Sequence, residues 1–125
     1  MELPTPAEQR NDDLLDAVRY GHLNKVKRLL REGADIHYQN GRPLRLASFN
    51  GHFFVVKYLV ENGANIHDYD DAALRLASEM NHPEVVRYLV ENGANVNADD
   101  GFSLRWARKN NNHEIVNFLL AHGAR

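Results

Sequence analysis

No cysteine occurs in the 125 residues, which excludes disulfides, thiolate-held metals and a cysteine nucleophile. Long apolar runs are missing too, and none approaches the roughly 20 residues of a membrane-spanning helix. The opening Met1-Glu2-Leu3-Pro4-Thr5-Pro6 has neither the basic nor the apolar segment of a secretory signal. There is no Asn-x-Ser/Thr sequon. Together these absences point to a cytoplasmic or nuclear protein. Hydroxyl nucleophiles are scarce as well. Thr5, Ser48, Ser78 and Ser103 are the only Ser and Thr residues, and none lies in a Gly-x-Ser-x-Gly elbow. No glycine-rich phosphate loop is found. Neither sign of charge dominates, with 15 basic and 17 acidic residues and a net charge of −2. That balance gives no electrostatic case for nucleic acid or an anionic membrane.

What the chain does have is a repeat. Gly-Ala recurs at Gly33-Ala34, Gly63-Ala64, Gly93-Ala94 and Gly123-Ala124, a period of 30 residues without slippage. Other columns keep that register: Leu44, Leu74 and Leu104; Arg45, Arg75 and Arg105; Ala47, Ala77 and Ala107; Leu29, Leu59, Leu89 and Leu119. Each unit reads as two short helices and a loop. In residues 43–62, Pro43 suits a first helical turn, and Asn50-Gly51 breaks the first helix. A second helix runs from Phe53 to Glu61, with Val56, Leu59 and Val60 at helical spacing, and Gly63 is placed to end it in a left-handed conformation. Helices of about 9 residues are marginal alone in water. Each unit must therefore bury its apolar faces against its neighbours, which predicts an all-α solenoid.

The recurring Gly-Ala-Asn-Ile/Val, Leu-Arg-Leu-Ala-Ser and Asn-Gly-His-x-x-Val-Val-Lys-Tyr-Leu-Val-Glu-Asn resemble the ankyrin repeat over residues 12–125. The resemblance implies a helix-turn-helix stack of four units, 12–32, 33–62, 63–92 and 93–125, preceded by a flexible tail over 1–11. Ankyrin repeats usually run 33 residues, so these units are short. The missing residues fall between Ile36 and Arg42 and at the later equivalents, where the family's hairpin finger projects, and shortened fingers are expected. Arg45, Arg75 and Arg105 stand where the family's Thr-Pro-Leu-His motif has His. This compact form resembles arrays abundant in giant DNA viruses. The first unit looks like a cap, with Asp12-Asp13 placed to cap its first helix and Asp16 where Leu46 and Leu76 lie. Arg125 ends the sequence just after the fourth Gly-Ala, so the fourth unit is expected to leave its outer face uncovered.

The resemblance implies a module that binds another protein through its concave face, and not an enzyme. It implies no cofactor, metal, nucleic acid or membrane. Residues that vary within an otherwise repetitive frame are free to specify a partner. At the ends of the first helices these are Tyr20, Phe49, Asn50, Glu79, Met80 and Lys109. On the fingers they are Tyr38, Tyr69, Asp70 and Phe102. The module is expected to be a monomer. The alternative is a self-associating structural solenoid that dimerises weakly through its C-terminal end.

Several features carry two readings. The arginine ladder is either a basic stripe for an acidic or phosphorylated partner or, the favoured reading, a set of pairs to turn carboxylates and carbonyls such as those of Asp70 or Asp100. Seven histidines invite a metal, but stacked equivalents lie about a helix diameter of ~10 Å apart, too far to share one ion. Tyr58, Tyr88 and Phe118 align as a packing face, and Trp106 either fills the end of the core or serves as an exposed anchor. The segment from Leu89 to Ala98 resembles the ankyrin stretch whose Asn, here Asn97, is hydroxylated in some members.

Overall fold

The structure, a computed structural model, describes residues 2–125. Its described residues form helices joined by short turns, with no strand. Helix α1 (Pro6–Arg19) pairs with α2 (Leu23–Arg31), α3 (Tyr38–Phe49) with α4 (Phe53–Glu61), α5 (Asp68–Glu79) with α6 (Pro83–Glu91), and α7 (Ala98–Lys109) with α8 (His113–Ala121). The second helix expected over Phe53–Glu61 is found with those bounds.

The Gly-Ala column has a specific cause. At the end of α4 the Gly63 N–H donates to the Val60 carbonyl at 3.2 Å, and the Ala64 N–H reaches back to Leu59 at 3.0 Å. Gly33-Ala34, Gly93-Ala94 and Gly123-Ala124 repeat the pattern on Leu29, Leu89 and Leu119. This double bond satisfies two carbonyls left open at a helix end and needs a positive φ at the glycine, which is +100° at Gly63. The same leucines are buried in the core. One column therefore sets both the packing and the stop.

The first helices pack side by side in the order α1, α3, α5, α7, and more closely than the second helices do. Small residues make this approach geometrically open: Ala17, Ala47, Ala77 and Ala107 are all fully buried between them. Larger Leu and Val side chains from both helix rows fill the continuous core. The first helices therefore form one flank of the stack and the second helices the other. Tyr58, Tyr88 and Phe118 are half-buried against the core, as the packing-face reading requires.

The N-terminus departs from expectation. Helix α1 starts at Pro6, not at Asp12-Asp13, so the expected loose tail over 1–11 is largely helical. Thr5 caps it, its hydroxyl accepting the Glu8 N–H at 3.1 Å, with Pro6 in the first turn. Thr5-Pro6-Ala7-Glu8 has the spacing of a capping box, with proline where its missing N–H costs nothing.

Candidate partner-binding strip

Where shortened fingers are expected, α3, α5 and α7 each open on a left-handed turn that precedes the right-handed body of the helix. Gln39-Asn40-Gly41, Tyr69-Asp70-Asp71 and Asp99-Asp100-Gly101 all have positive φ. Left-handed backbone costs a non-glycine residue roughly 1–2 kcal/mol, so three in succession need support. The arginine ladder supplies it. Arg45 donates to the carbonyls of Asn40 and Gln39. Arg75 donates to those of Asp70 at 2.9 Å and Tyr69 at 2.7 Å. Arg105 repeats the contact on Asp100 and Asp99. Each guanidinium thus ties the right-handed body of its helix to the left-handed turn at that helix's own start, which is the favoured of the two readings of the ladder.

The ladder also links units. The Arg45 guanidinium lies 4.4 Å from the centre of the Tyr69 ring in the next turn, and Arg75 lies 5.6 Å from that of Phe102. Arg105 lies 5.9 Å from the centre of the same Phe102 ring. Arginine and aromatic rings therefore alternate along the solenoid, joined by cation–π attraction. Arg75 adds an ion pair to Asp99 at 3.9 Å.

The candidate residues fall into two rows on either side of this ladder. In the turn row, Tyr69 and Asp70 are exposed, while Tyr38 and Phe102 are half-buried. Tyr38 sits with its hydroxyl 3.4 Å from Asp12, and the Tyr69 hydroxyl accepts from Asn40 at 3.3 Å. Asp70 accepts the Asp99 N–H of the following turn at 3.1 Å. In the helix-end row, Tyr20, Phe49 and Met80 are 64%, 38% and 43% exposed. Glu79 is half-buried and Lys109 exposed. Asn50 is spent on its own helix, donating to the Leu46 carbonyl at 2.9 Å. Trp106, left outside the candidate set, belongs on this strip. It is half-buried, packs on Phe102 with ring centres 6.1 Å apart, and carries Lys109 4.5 Å above its ring. Its signal in the sequence was replacement of the Leu46 and Leu76 column by a larger ring.

The histidines of the inter-helix corner are structural. The Nε2–H of His52 donates to the Arg19 carbonyl at 2.8 Å, and that of His82 to Phe49 at 2.9 Å. Each closes the end of the preceding unit's first helix. Among the described residues no three His, Asp or Glu side chains gather as a metal site. No helix among them is long and apolar enough to cross a membrane.

The family model described as ankyrin repeats (3 copies) matches residues 14–100 and 72–125. The chain belongs to the ankyrin-repeat family. No curated protein matches the chain at a significant level. Ankyrin repeats are in general protein–protein interaction modules on a non-enzymatic fold. In this ankyrin chain the hairpin finger is reduced to a left-handed turn, clamped by a long arginine that reaches back to two carbonyls.

Proposed function

We propose that this ankyrin-repeat chain binds a partner protein along its first-helix strip, between the left-handed turns and the ends of α1, α3, α5 and α7. One observation carries the reading. Tyr20, Phe49, Tyr69 and Met80 stand exposed on that flank, at positions where the repeat varies and where the shared packing makes no demand. Large apolar residues of this kind supply most of the energy at protein interfaces, with surrounding polar groups excluding water. The neighbouring Trp106, Lys109, Glu79 and Asp70 give the strip a mixed polar rim.

The test uses a partner isolated by affinity capture on the native chain and then purified. Phe49→Ala with Tyr69→Ala is expected to weaken its binding by about 10- to 100-fold in titration calorimetry, a loss typical of two anchors. The far-UV circular dichroism of the variant should stay native, since both side chains are exposed. Unchanged affinity in a folded double variant overturns the strip as the site.

A further inference from the structure

The opposite flank, built from the second helices, holds a groove that the strip does not use. It lies between α4 and α6, has a volume of about 410 Å³, and is lined by Phe53, Phe54, Glu84, Arg87, Tyr88 and Glu91. Phe54 is 68% exposed there. The other units place Asn24, Glu84 and Glu114 at its position, so the repeat itself does not call for a ring. Phe53 meets Phe54 edge-on at 5.3 Å and Tyr88 edge-on at 5.7 Å. The Tyr88 hydroxyl reaches the Lys57 carbonyl at 3.5 Å. Burial first, and then the Glu61 carboxylate, hold its phenol above the ordinary value. The three rings are therefore neutral, and the charge of the groove comes from its other members. Glu84 and Glu91 are exposed carboxylates. The one cation, Arg87, is paired with Glu114 of the next unit.

The adjacent groove, between α2 and α4, shows what such a surface accepts. It is lined by Leu23, Lys27, Phe54, Lys57, Tyr58 and Glu61. There the Lys27 ammonium lies 5.4 Å from the centre of the Tyr58 ring. The equivalent lysine one unit on, Lys57, turns instead to Glu61 at 4.0 Å, and Tyr88 pairs with the Phe53 ring in a T-shaped contact. One groove brings its own cation to its tyrosine; the next presents rings and carboxylates outward. A ring face attracts a cation by its quadrupole, and flanking carboxylates add Coulomb attraction.

We propose that the α4–α6 groove docks a basic segment of a partner protein, with a Lys or Arg side chain seated against Phe53, Phe54 and Tyr88 and flanked by Glu84 and Glu91. The site is on the opposite flank from the first-helix strip and stands or falls independently of it. The probe is a capped Gly-Leu-Arg-Leu-Lys-Gly peptide, titrated into the full ¹⁵N-labelled chain, beside a matched peptide with Glu replacing Arg and Lys. The basic peptide is expected to shift the amides of Phe53, Phe54, Glu84 and Tyr88 saturably, and its affinity to fall with added salt. Phe54→Ala, and Glu84→Gln with Glu91→Gln, should each weaken it about tenfold, the change that one desolvated contact of this kind commands. Phe49→Ala with Tyr69→Ala should bind it unchanged. All substituted residues but Phe49 and Tyr69 lie on exposed positions of the groove, and circular dichroism verifies that the variants fold. No saturable shift at these amides, equal binding of the acidic peptide, or unchanged affinity in the glutamine variant overturns the proposal.

Discussion

The corner between units two and three and the corner between units three and four solve one packing problem with different residues. In the first, the His82 ring lies so close over Gly51 that an added Cβ would sit 2.3 Å from it. In the second, Asn81 occupies the glycine position with φ +58°, and the residue above it is Asn112, whose side-chain amide donates to Asn81 Oδ1 at 3.0 Å. The corner between units one and two follows the His type, with His52 2.6 Å from a Cβ built on Gly21. Asparagine tolerates left-handed backbone. The glycine is therefore required by the ring above it as much as by its φ. Small beneath large, or polar beneath polar, are the two arrangements seen, and the residues have changed as a pair.

At the far end of the same helices the facing residues again change as a pair, with large beneath small as a further arrangement. A Cβ on Gly41 would meet Asp68 of the next unit at 2.2 Å. At the equivalent place in unit three the left-handed residue is Asp71, and the residue facing it from unit four is the small Ala98 in place of an aspartate. Asp71 then puts its buried carboxylate to use, accepting the Asn95 N–H at 2.8 Å and facing His67 Nδ1 at 3.1 Å.

The largest expected effect breaks the histidine corner outright. Gly51→Ala forces a side chain into a left-handed position and into the His82 ring, and should cost about 3 kcal/mol in urea unfolding, strain and overpacking together. Next comes the paired test. Asn112→His alone places a ring over Asn81 and should cost about 2 kcal/mol. Adding Asn81→Gly rebuilds the histidine corner, and a double-mutant cycle should recover about 1–2 kcal/mol as coupling. Additive losses would show that the two columns are independent and that the comparison between corners has no energetic content.

Much of this was legible in the sequence because a repeat writes the same physics several times. The Leu and Gly-Ala columns mark the core and the helix stops, and the Gly-His dipeptides mark the corner, before any coordinates are known. Thr5-Pro6-Ala7-Glu8 encodes the start of α1, but two prolines near a terminus look equally like a loose segment. The left-handed turns were hidden for another reason. Gln39, Tyr69 and Asp99 adopt that conformation with their carbonyls bound by Arg45, Arg75 and Arg105, six residues on, and no local propensity announces a contact of that kind. Variation alone marks the two rows of strip candidates, and it does not distinguish a largely exposed ring such as Tyr20 from a side chain already hydrogen-bonded, such as Asn50. The groove beside Phe54 depends on which faces the second helices turn to each other, and the only trace in sequence is one aromatic in a polar column.

The smallest effect sharpens the comparison among the turns themselves. Residues 39–41 and 99–101 each end in glycine, whereas Tyr69-Asp70-Asp71 is left-handed without one. That turn carries the most intrinsic strain and should lean hardest on its clamp. Arg75 is suited to the task, with two nitrogens on two carbonyls and a carboxylate, Asp99, beside it. Arg75→Met keeps the packing of the stem and removes the donors, so the expected loss is about 1–2 kcal/mol, the range for hydrogen bonds from a charged group. Arg45→Met and Arg105→Met should lose roughly half as much, because a glycine already relieves one of their three residues. Measured together by chemical unfolding, the three variants rank the turns. Equal losses would mean that the arginines stabilise by stacking on Tyr69 and Phe102 rather than by holding the backbone in its left-handed course.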